Sequence, residues 1–234
     1  MNKPFFPSLV AFCFLSRAVF AGEPNTLSAE ESAAGWKLLF DGKTTTGWVA
    51  LGKKEFPSKG WTVKDGTLHH EKAGGGGDIV TTDRYENFEL TFDWKIGAVG
   101  NSGLKYNLPD PTQGLGFEFQ LIDDEHHPDG IKGGALHRTG ALYDLVAPAP
   151  AQKVNPVGEW NESRLIVKGN HVEQWVNGTK SVTVEMGSDE LKALIAKSKY
   201  KAVSAFGLKT ASPLLLQDHG DEVTFRNVKL RPLN

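Results

Sequence analysis

The chain has 234 residues, among them 26 Gly, 13 Phe, 6 Trp and a single Cys. Charged residues at 23% and hydrophobic ones at 39% exclude a disordered chain, and the length suffices to bury a core without a disulfide or metal staple. With 26 Lys and Arg against 28 Asp and Glu, the formal charge of −2 argues against a nucleic-acid partner held through phosphates.

Residues 1–21 carry the parts of a secretory signal peptide. Lys3 opens the segment, an apolar stretch runs from Pro4 to Phe20, and Val19-Phe20-Ala21 offers small residues at a cleavage site before Gly22. The stretch is interrupted by Arg17 and is too short for the roughly 20 residues that a bilayer span needs. No other segment is apolar enough to span, so the reading is an exported protein, periplasmic or secreted. Phe12 precedes Cys13, where lipidation would need a small residue. Cleavage after Ala21 would leave 213 of the 234 residues and remove Cys13, so thiol chemistry, disulfides and cysteine metal sites are excluded from the mature chain.

Residues 22–35 form a polar lead-in with room for one helical turn. From Trp36 to Asn234 the reading is one jelly-roll domain of catalytic type, because the apolar period is two rather than 3.6. Phe88, Leu90, Phe92, Trp94 and Ile96 alternate with Glu89, Thr91, Asp93 and Lys95, a half-buried strand. Phe117, Phe119 and Leu121 alternate with Glu118 and Gln120; Leu165 and Val167 lie in a further run, and Val172 and Val176 flank Gln174. Asp65-Gly66 and Asn177-Gly178 are hairpin turn signals. The last strand, Thr224 to Leu230, loses its alternation around Arg226-Asn227 as a bulge would require. One helix is expected after Ser188, which can cap Asp189, Glu190 and the Leu191–Leu194–Ile195 face. Many short strands and one short helix indicate an all-β sandwich of two antiparallel sheets.

The run Gly74–Gly77 has no following Lys-Ser/Thr, so it reads as a turn before the strand at Ile79 and not as a phosphate loop. Asn161-Glu162-Ser163 and Asn177-Gly178-Thr179 match the glycosylation sequon, which matters only in a eukaryotic secretory pathway. Glu118 and Gln120 are two apart and share a sheet face; so do Gln217 and His219. Asn101, Lys105 and Arg226 add amide or charged groups on other strands. The run from Asp123 to Gly130 holds carboxylates and two His, but lacks the order of a calcium loop and the helix of a zinc protease. It reads as a charged surface loop. Asp123, nearest the strand end, is kept as a site residue; no metal or cofactor is predicted, and a Ca²⁺ or other divalent ion near Asp123 is left open.

Seven stretches then occur in register: Trp36–Lys43 with Gly47-Trp48, Trp61–Gly66, Asn101–Gly103, Gly116–Asp123, Gly158–Asn161, Leu216–Gly220 and Phe225–Val228. In this order the chain resembles the 3-keto-disaccharide hydrolase family, formerly a domain of unknown function. The family often has Arg where Lys105 stands. The resemblance implies a concanavalin A-like jelly roll with a saccharide-holding face. It also implies cleavage of 3-keto-glycosides by elimination across C1–C2, some members then hydrating the resulting 3-keto-2-hydroxyglucal.

Such chemistry needs a base for the C2 hydrogen, donors at the C3 oxygen and an acid for the leaving aglycone. Glu118 is assigned as base or orienter of a base, with His219 as its acid/base partner. Gln120, Asn101 and Gln217 would bind hydroxyls, and Lys105 or Arg226 would stabilise the enolate, with a structural ion pair as the other reading of Arg226. Trp160 and Trp94 are candidates for stacking on the sugar, Trp94 being better suited to the core. The competing readings are a non-catalytic carbohydrate-binding module, which needs no paired base and acid, and an ordinary glucanase. The glucanase requires two carboxylates at set separations, and Glu118 has an amide as its same-face neighbour.

Overall fold

The structure is a computed structural model that describes residues 23–234; the signal-peptide reading of residues 1–21, Cys13 included, lies outside them. In chain order the strands are β1 (Lys37–Leu38), β2 (Trp48–Ala50), β3 (Trp61–Lys64), β4 (Thr67–His70), β5 (Ile79–Thr81), β6 (Phe88–Ile96) and β7 (Asn101–Asp110). They continue with β8 (Leu115–Ile122), β9 (Asn161–Lys168), β10 (His171–Val176), β11 (Thr179–Glu185), β12 (Leu215–Leu216) and β13 (Val223–Pro232). The larger sheet runs β11-β10-β9-β6-β13-β4-β3, with β1 also on β13; the smaller runs β2-β5-β12-β7-β8. Every strand pairing is antiparallel, and the two sheets form a jelly-roll sandwich.

Period-two alternation is realised on both inner faces. Phe92 of β6 meets Phe119 of β8 edge to face at 5.9 Å between ring centres, and Phe225 of β13 packs beside Phe92 at 6.4 Å. Each such buried ring contributes about 1.5–3 kcal/mol. Trp94 is fully buried there and its Nε1 donates to Ser163 Oγ at 2.9 Å, so it belongs to the core and not to a sugar platform. Asp65 and Asn177 take positive φ (49° and 46°) before Gly66 and Gly178, as two-residue hairpin loops require. The slip in β13 is a register shift between Arg226 and Lys229, with Asn227 at φ 52°.

Beyond the expected helix α3 (Asp189–Ile195), capped by Ser188, the chain forms α1 (Ala29–Ala33) in the lead-in and α2 (Pro128–Gly133), with a 3₁₀ turn at Gly134–His137. A capping box closes α1: Ser28 Oγ accepts from Glu31 N at 3.1 Å, while Ser28 N donates to Glu31 Oε2 at 2.8 Å. In α2, His127 is the N-cap and Pro128 takes the first turn, where its missing N–H costs nothing. The charged run read as a loop therefore contains a helix start. No helix among the described residues is long and apolar enough to cross a membrane.

Three features hold the outer face of the smaller sheet in place. Residues 140–143 run along the free edge of β8, with Gly140 N donating to Gln120 O (2.9 Å) and Tyr143 N to Glu118 O (3.0 Å). The glycine run is a close backbone packing: a Cβ on Gly60 would stand 1.5 Å from Gly75 O. Past β12, Asp218 turns away from that face. Its carboxylate accepts from Gly77 N (2.9 Å) and Gly220 N (2.8 Å) and pairs with His70 Nε2 (3.1 Å), while its own N–H donates to Asp78 Oδ1 (2.9 Å). Anchoring Asp218 on one side leaves Gln217 and His219 directed to the other. Replacing Asp218 by Ala leaves those donors without their charged acceptor, and we expect a loss of about 2 kcal/mol or more of unfolding free energy. Urea denaturation measures it, and an unchanged midpoint would show that the anchor is dispensable.

Candidate active site

On β7 and β8, residues of odd and even number respectively face away from the core. Lys105 stands directly across from Glu118, and Gly103 across from Gln120. Leu215 of β12 pairs with Lys105, so Gln217, two residues on, reaches the same face; its N–H donates to Gly103 O at 3.0 Å. On most sandwiches such a face is solvated. Here Lys105, Glu118, Asn101 and Gln120 are all buried.

Glu118 and Lys105 are 3.7 Å apart, Glu118 Oε2 to Lys105 Nζ, and Lys105 Nζ also donates to Gly114 O at 3.4 Å. Gln217 bridges the pair in the amide orientation that satisfies both: its Nε2 donates to Glu118 Oε1 (3.3 Å) and its Oε1 accepts from Lys105 Nζ (3.2 Å). The carboxylate fits because position 103 is glycine. A Cβ there would lie 3.0 Å from Glu118 Oε1 and 3.1 Å from its Cγ.

Asn101, Lys105, Glu118, Gln217 and His219 line one cavity, so the fold brings together five residues selected from the sequence. Its volume is about 70 Å³. That is far below the roughly 300–1,000 Å³ of pockets that take up a whole drug-sized ligand. Asp129, Tyr143, Lys199 and Tyr200 line the cavity too, with Leu115 and Gly116. Asp129 lies in the charged run read as a surface loop, and the sequence singles out none of the other three polar groups, because they come from loops and short helical segments where no apolar period marks a face.

Asp129 is a second carboxylate in the cavity. It accepts from His137 Nδ1 (2.9 Å) and from Tyr143 Oη (2.9 Å). Burial pushes its carboxyl up, but those two hydrogen bonds outweigh it and hold the group below the usual range. Burial and the Asp129 carboxylate push the Tyr143 phenol up, so it remains a donor. Lys199 lies at the mouth, its Nζ 4.0 Å from the centre of the Tyr143 ring.

The structure places the remaining candidates elsewhere. Gln120 is fully buried behind Asn101, to whose Oδ1 its Nε2 donates at 3.1 Å, so it orients Asn101 instead of meeting a ligand. Asp123 follows the end of β8 and is consumed by the backbone, accepting from Val99 N at 2.9 Å and from Glu125 N and His126 N at 3.2 Å each. It borders a different hollow of about 540 Å³ with Glu125, His126 and Arg138. Arg226 and Trp160 sit on the outer face of the larger sheet. There Arg226 Nε pairs with Asp93 Oδ2 at 3.0 Å and its guanidinium lies 4.0 Å from the Trp160 ring centre. Phe225, the inward neighbour of Arg226, fills the core with its strand partner Trp94, so Arg226 and the Trp160 ring it rests on lie away from the cavity.

At the rim, His219 meets His127 edge to face at 5.9 Å. His127, His219 and Asp221 bring one donor atom each within 4.8 Å of one another, a set suited to a divalent ion. However, His127 Nδ1 accepts from Asp129 N (3.1 Å) as the cap of α2, which leaves its proton on Nε2, 3.6 Å from Asp221 Oδ2. A ligating histidine carries its proton on the other nitrogen, so the cap and coordination through Nε2 exclude each other.

Comparison with known proteins agrees with this architecture. Residues 35–231 match the family described as the 3-keto-alpha-glucoside-1,2-lyase-like domain. A 3-keto-disaccharide hydrolase of Bacteroides thetaiotaomicron is 32% identical over 250 residues, covering 94% of this chain and 86% of that protein. A crystal structure of a candidate glycosyl hydrolase from Parabacteroides distasonis superposes with a TM-score of 0.81 at 38% identity, over 91% of this chain and all of that one (100%). A second such structure from the same organism gives 0.67 at 30% identity, over 85% and 99%. The chain therefore belongs to the 3-keto-alpha-glucoside-1,2-lyase-like family.

Proposed function

We propose that this protein cleaves 3-keto-glycosides outside the cytoplasm, by removal of the C2 proton and 1,2-elimination. The observation that carries the reading is a carboxylate, Glu118, held on a sheet face by Lys105 and Gln217 and open to a small polar cavity. A ketone at C3 lowers the cost of C2 deprotonation because the electron pair delocalises onto oxygen. Glu118 takes the C2 proton, the C–H pair becomes the C2–C3 π bond, and the carbonyl pair moves to the C3 oxygen. Collapse of that enolate forms the C1–C2 double bond and expels the aglycone oxygen, which leaves with a proton from His219 at the rim. The products are the alcohol and a 3-keto-2-hydroxyglucal; adding water to the latter would complete a hydrolysis. Asn101, which lines the cavity, is the residue we assign to hydroxyl binding, while the Gln217 amide is engaged by Glu118 and Lys105. Export rests on the N-terminal segment, whose composition is that of a signal peptide.

An ordinary glycosidase mechanism is less well supported, although Asp129 supplies the second carboxylate that strand parity did not reveal. Such enzymes need one carboxyl kept protonated as the acid. Asp129, the second carboxylate of the cavity, is held in its charged form by His137 and Tyr143. A binding module needs no buried charge pair. Trp94 and Trp160, the stacking candidates, both lie away from the cavity, and of its two wall tyrosines Tyr143 is tied to Asp129 through its hydroxyl.

Two experiments follow. Glu118→Gln, which keeps size and most hydrogen bonds, is expected to lower kcat on a 3-keto-glucoside by about 10²–10⁴ while leaving the far-ultraviolet circular dichroism unchanged. Equal turnover of the unoxidised parent glycoside, or an undiminished variant, would remove the elimination reading. His219→Ala is expected to impair cleavage of an alkyl 3-keto-glucoside at least tenfold more than that of its 4-nitrophenyl analogue, whose leaving group needs no acid. Equal losses on both would take His219 out of the acid role.

A further inference from the structure

Lys199 is charged, lies in the wall of the cavity and is not neutralised there. Among the described residues no carboxylate oxygen comes within 4.0 Å of its Nζ, and its hydrogen-bonded contact is through the main chain, Lys199 N to Asp144 Oδ2 at 2.7 Å. The ammonium instead rests over two aromatic faces, 4.0 Å from the Tyr143 ring centre and 5.1 Å from that of Tyr200. Lys105, by contrast, is engaged by Glu118, Gln217 and Gly114 O, so its charge serves to place the base.

We propose that Lys199, and not Lys105 or Arg226, is the cation that meets the oxyanion formed at C3, giving the cavity a built site for an enediolate anion. This rests on the 3-keto-glycoside reading. Before substrate binds, water can solvate the three N–H donors at the exposed mouth. A sugar entering the cavity displaces that water, and the donors then need an anion. The ground-state ketone carries only a partial charge, whereas the enolate carries a whole one, so the attraction grows along the reaction. Lys199 forms no covalent bond in this step and gives up no proton.

The charged and titratable groups around it are Glu118, Asp129 and Asp144, Lys105, and the phenols Tyr143 and Tyr200. Burial lowers the Lys199 value, against the raising pull of Glu118. A cation is lost as pH rises through its folded value, so kcat/KM should fall on the alkaline side earlier than an ordinary lysine would allow.

The test compares Lys199→Met and Lys199→Arg with the unaltered protein on a 3-keto-glucoside across pH. The Met variant is expected to lose about 10²–10³ in kcat with KM changed less than fivefold. Arg is charged at every accessible pH and should restore kcat to within about tenfold while abolishing the alkaline limb. A Met variant within threefold of the unaltered protein overturns the proposal, as does an Arg variant as inactive as Met, which would mark the amine as a nucleophile. Calorimetry with ascorbate, an enediolate anion, supplies an arm that needs no turnover. Binding at least tenfold weaker in the Met variant supports the anion site, and equal binding overturns it. If the unaltered protein cleaves no 3-keto-glycoside yet binds ascorbate through Lys199, the functional reading fails and the anion site stands.

Discussion

An ion pair buried on the outer face of a sheet governs the rest of this molecule. Removing a carboxylate and an ammonium from water costs several kcal/mol each, and their attraction offsets that only with good geometry and further hydrogen bonds. Glu118 and Lys105 meet the first condition through strand register, facing each other across β7 and β8, and Gln217 meets the second by bridging them. Removing Glu118 or Lys105 leaves the other charge buried without its partner, and removing Gln217 takes away the hydrogen bonds that bridge them. The surrounding architecture is arranged to avoid that outcome.

Each neighbouring feature follows from the same requirement. Gly103 is a strand position where a side chain would press on the carboxylate, and it has none. Asp218 ties the chain between Gln217 and His219 to the glycine turn and His70, which fixes the direction of the bridging amide. Residues 140–143 continue the sheet past β8 and bring Tyr143 alongside Glu118. Tyr143 in turn holds Asp129 and supports Lys199, so the cavity wall forms a continuous network of charged and phenolic groups. Preorganised charge of this kind costs nothing to reorient when an anion develops, which is the property an enolate-forming site needs.

Much of the sandwich was legible in the sequence because strand alternation is a local signal. The strand from Phe88 to Ile96 ends where its alternation ends, and Asn177-Gly178 and the Arg226-Asn227 slip behave as their backbone preferences dictate. Alternation also separates inner from outer residues, and Glu118, Lys105 and Gln217 do lie together on an outer face. It does not say which of two outer faces a residue occupies. For Arg226 that leaves two readings, an enolate partner or a structural ion pair, and the pairing with Asp93 on the outer face of the larger sheet is the second of them. Asp129 lines the cavity and Asp123 does not, because distance from a strand end says nothing about the backbone N–H groups that take up the Asp123 carboxylate. Lys199 and Tyr200 approach Glu118 only through packing of segments about eighty residues apart, and no local pattern encodes that.

The central claim is that the C2 hydrogen leaves during cleavage. It is tested most directly by supplying a 3-keto-glucoside deuterated at C2 and following the label in the product by mass spectrometry. Elimination through Glu118 predicts that the deuterium is lost, because the glucal has no hydrogen at C2 and hydration returns one from solvent. Retention of the label in the released sugar would mean that C1 is attacked directly, and would contradict the mechanism.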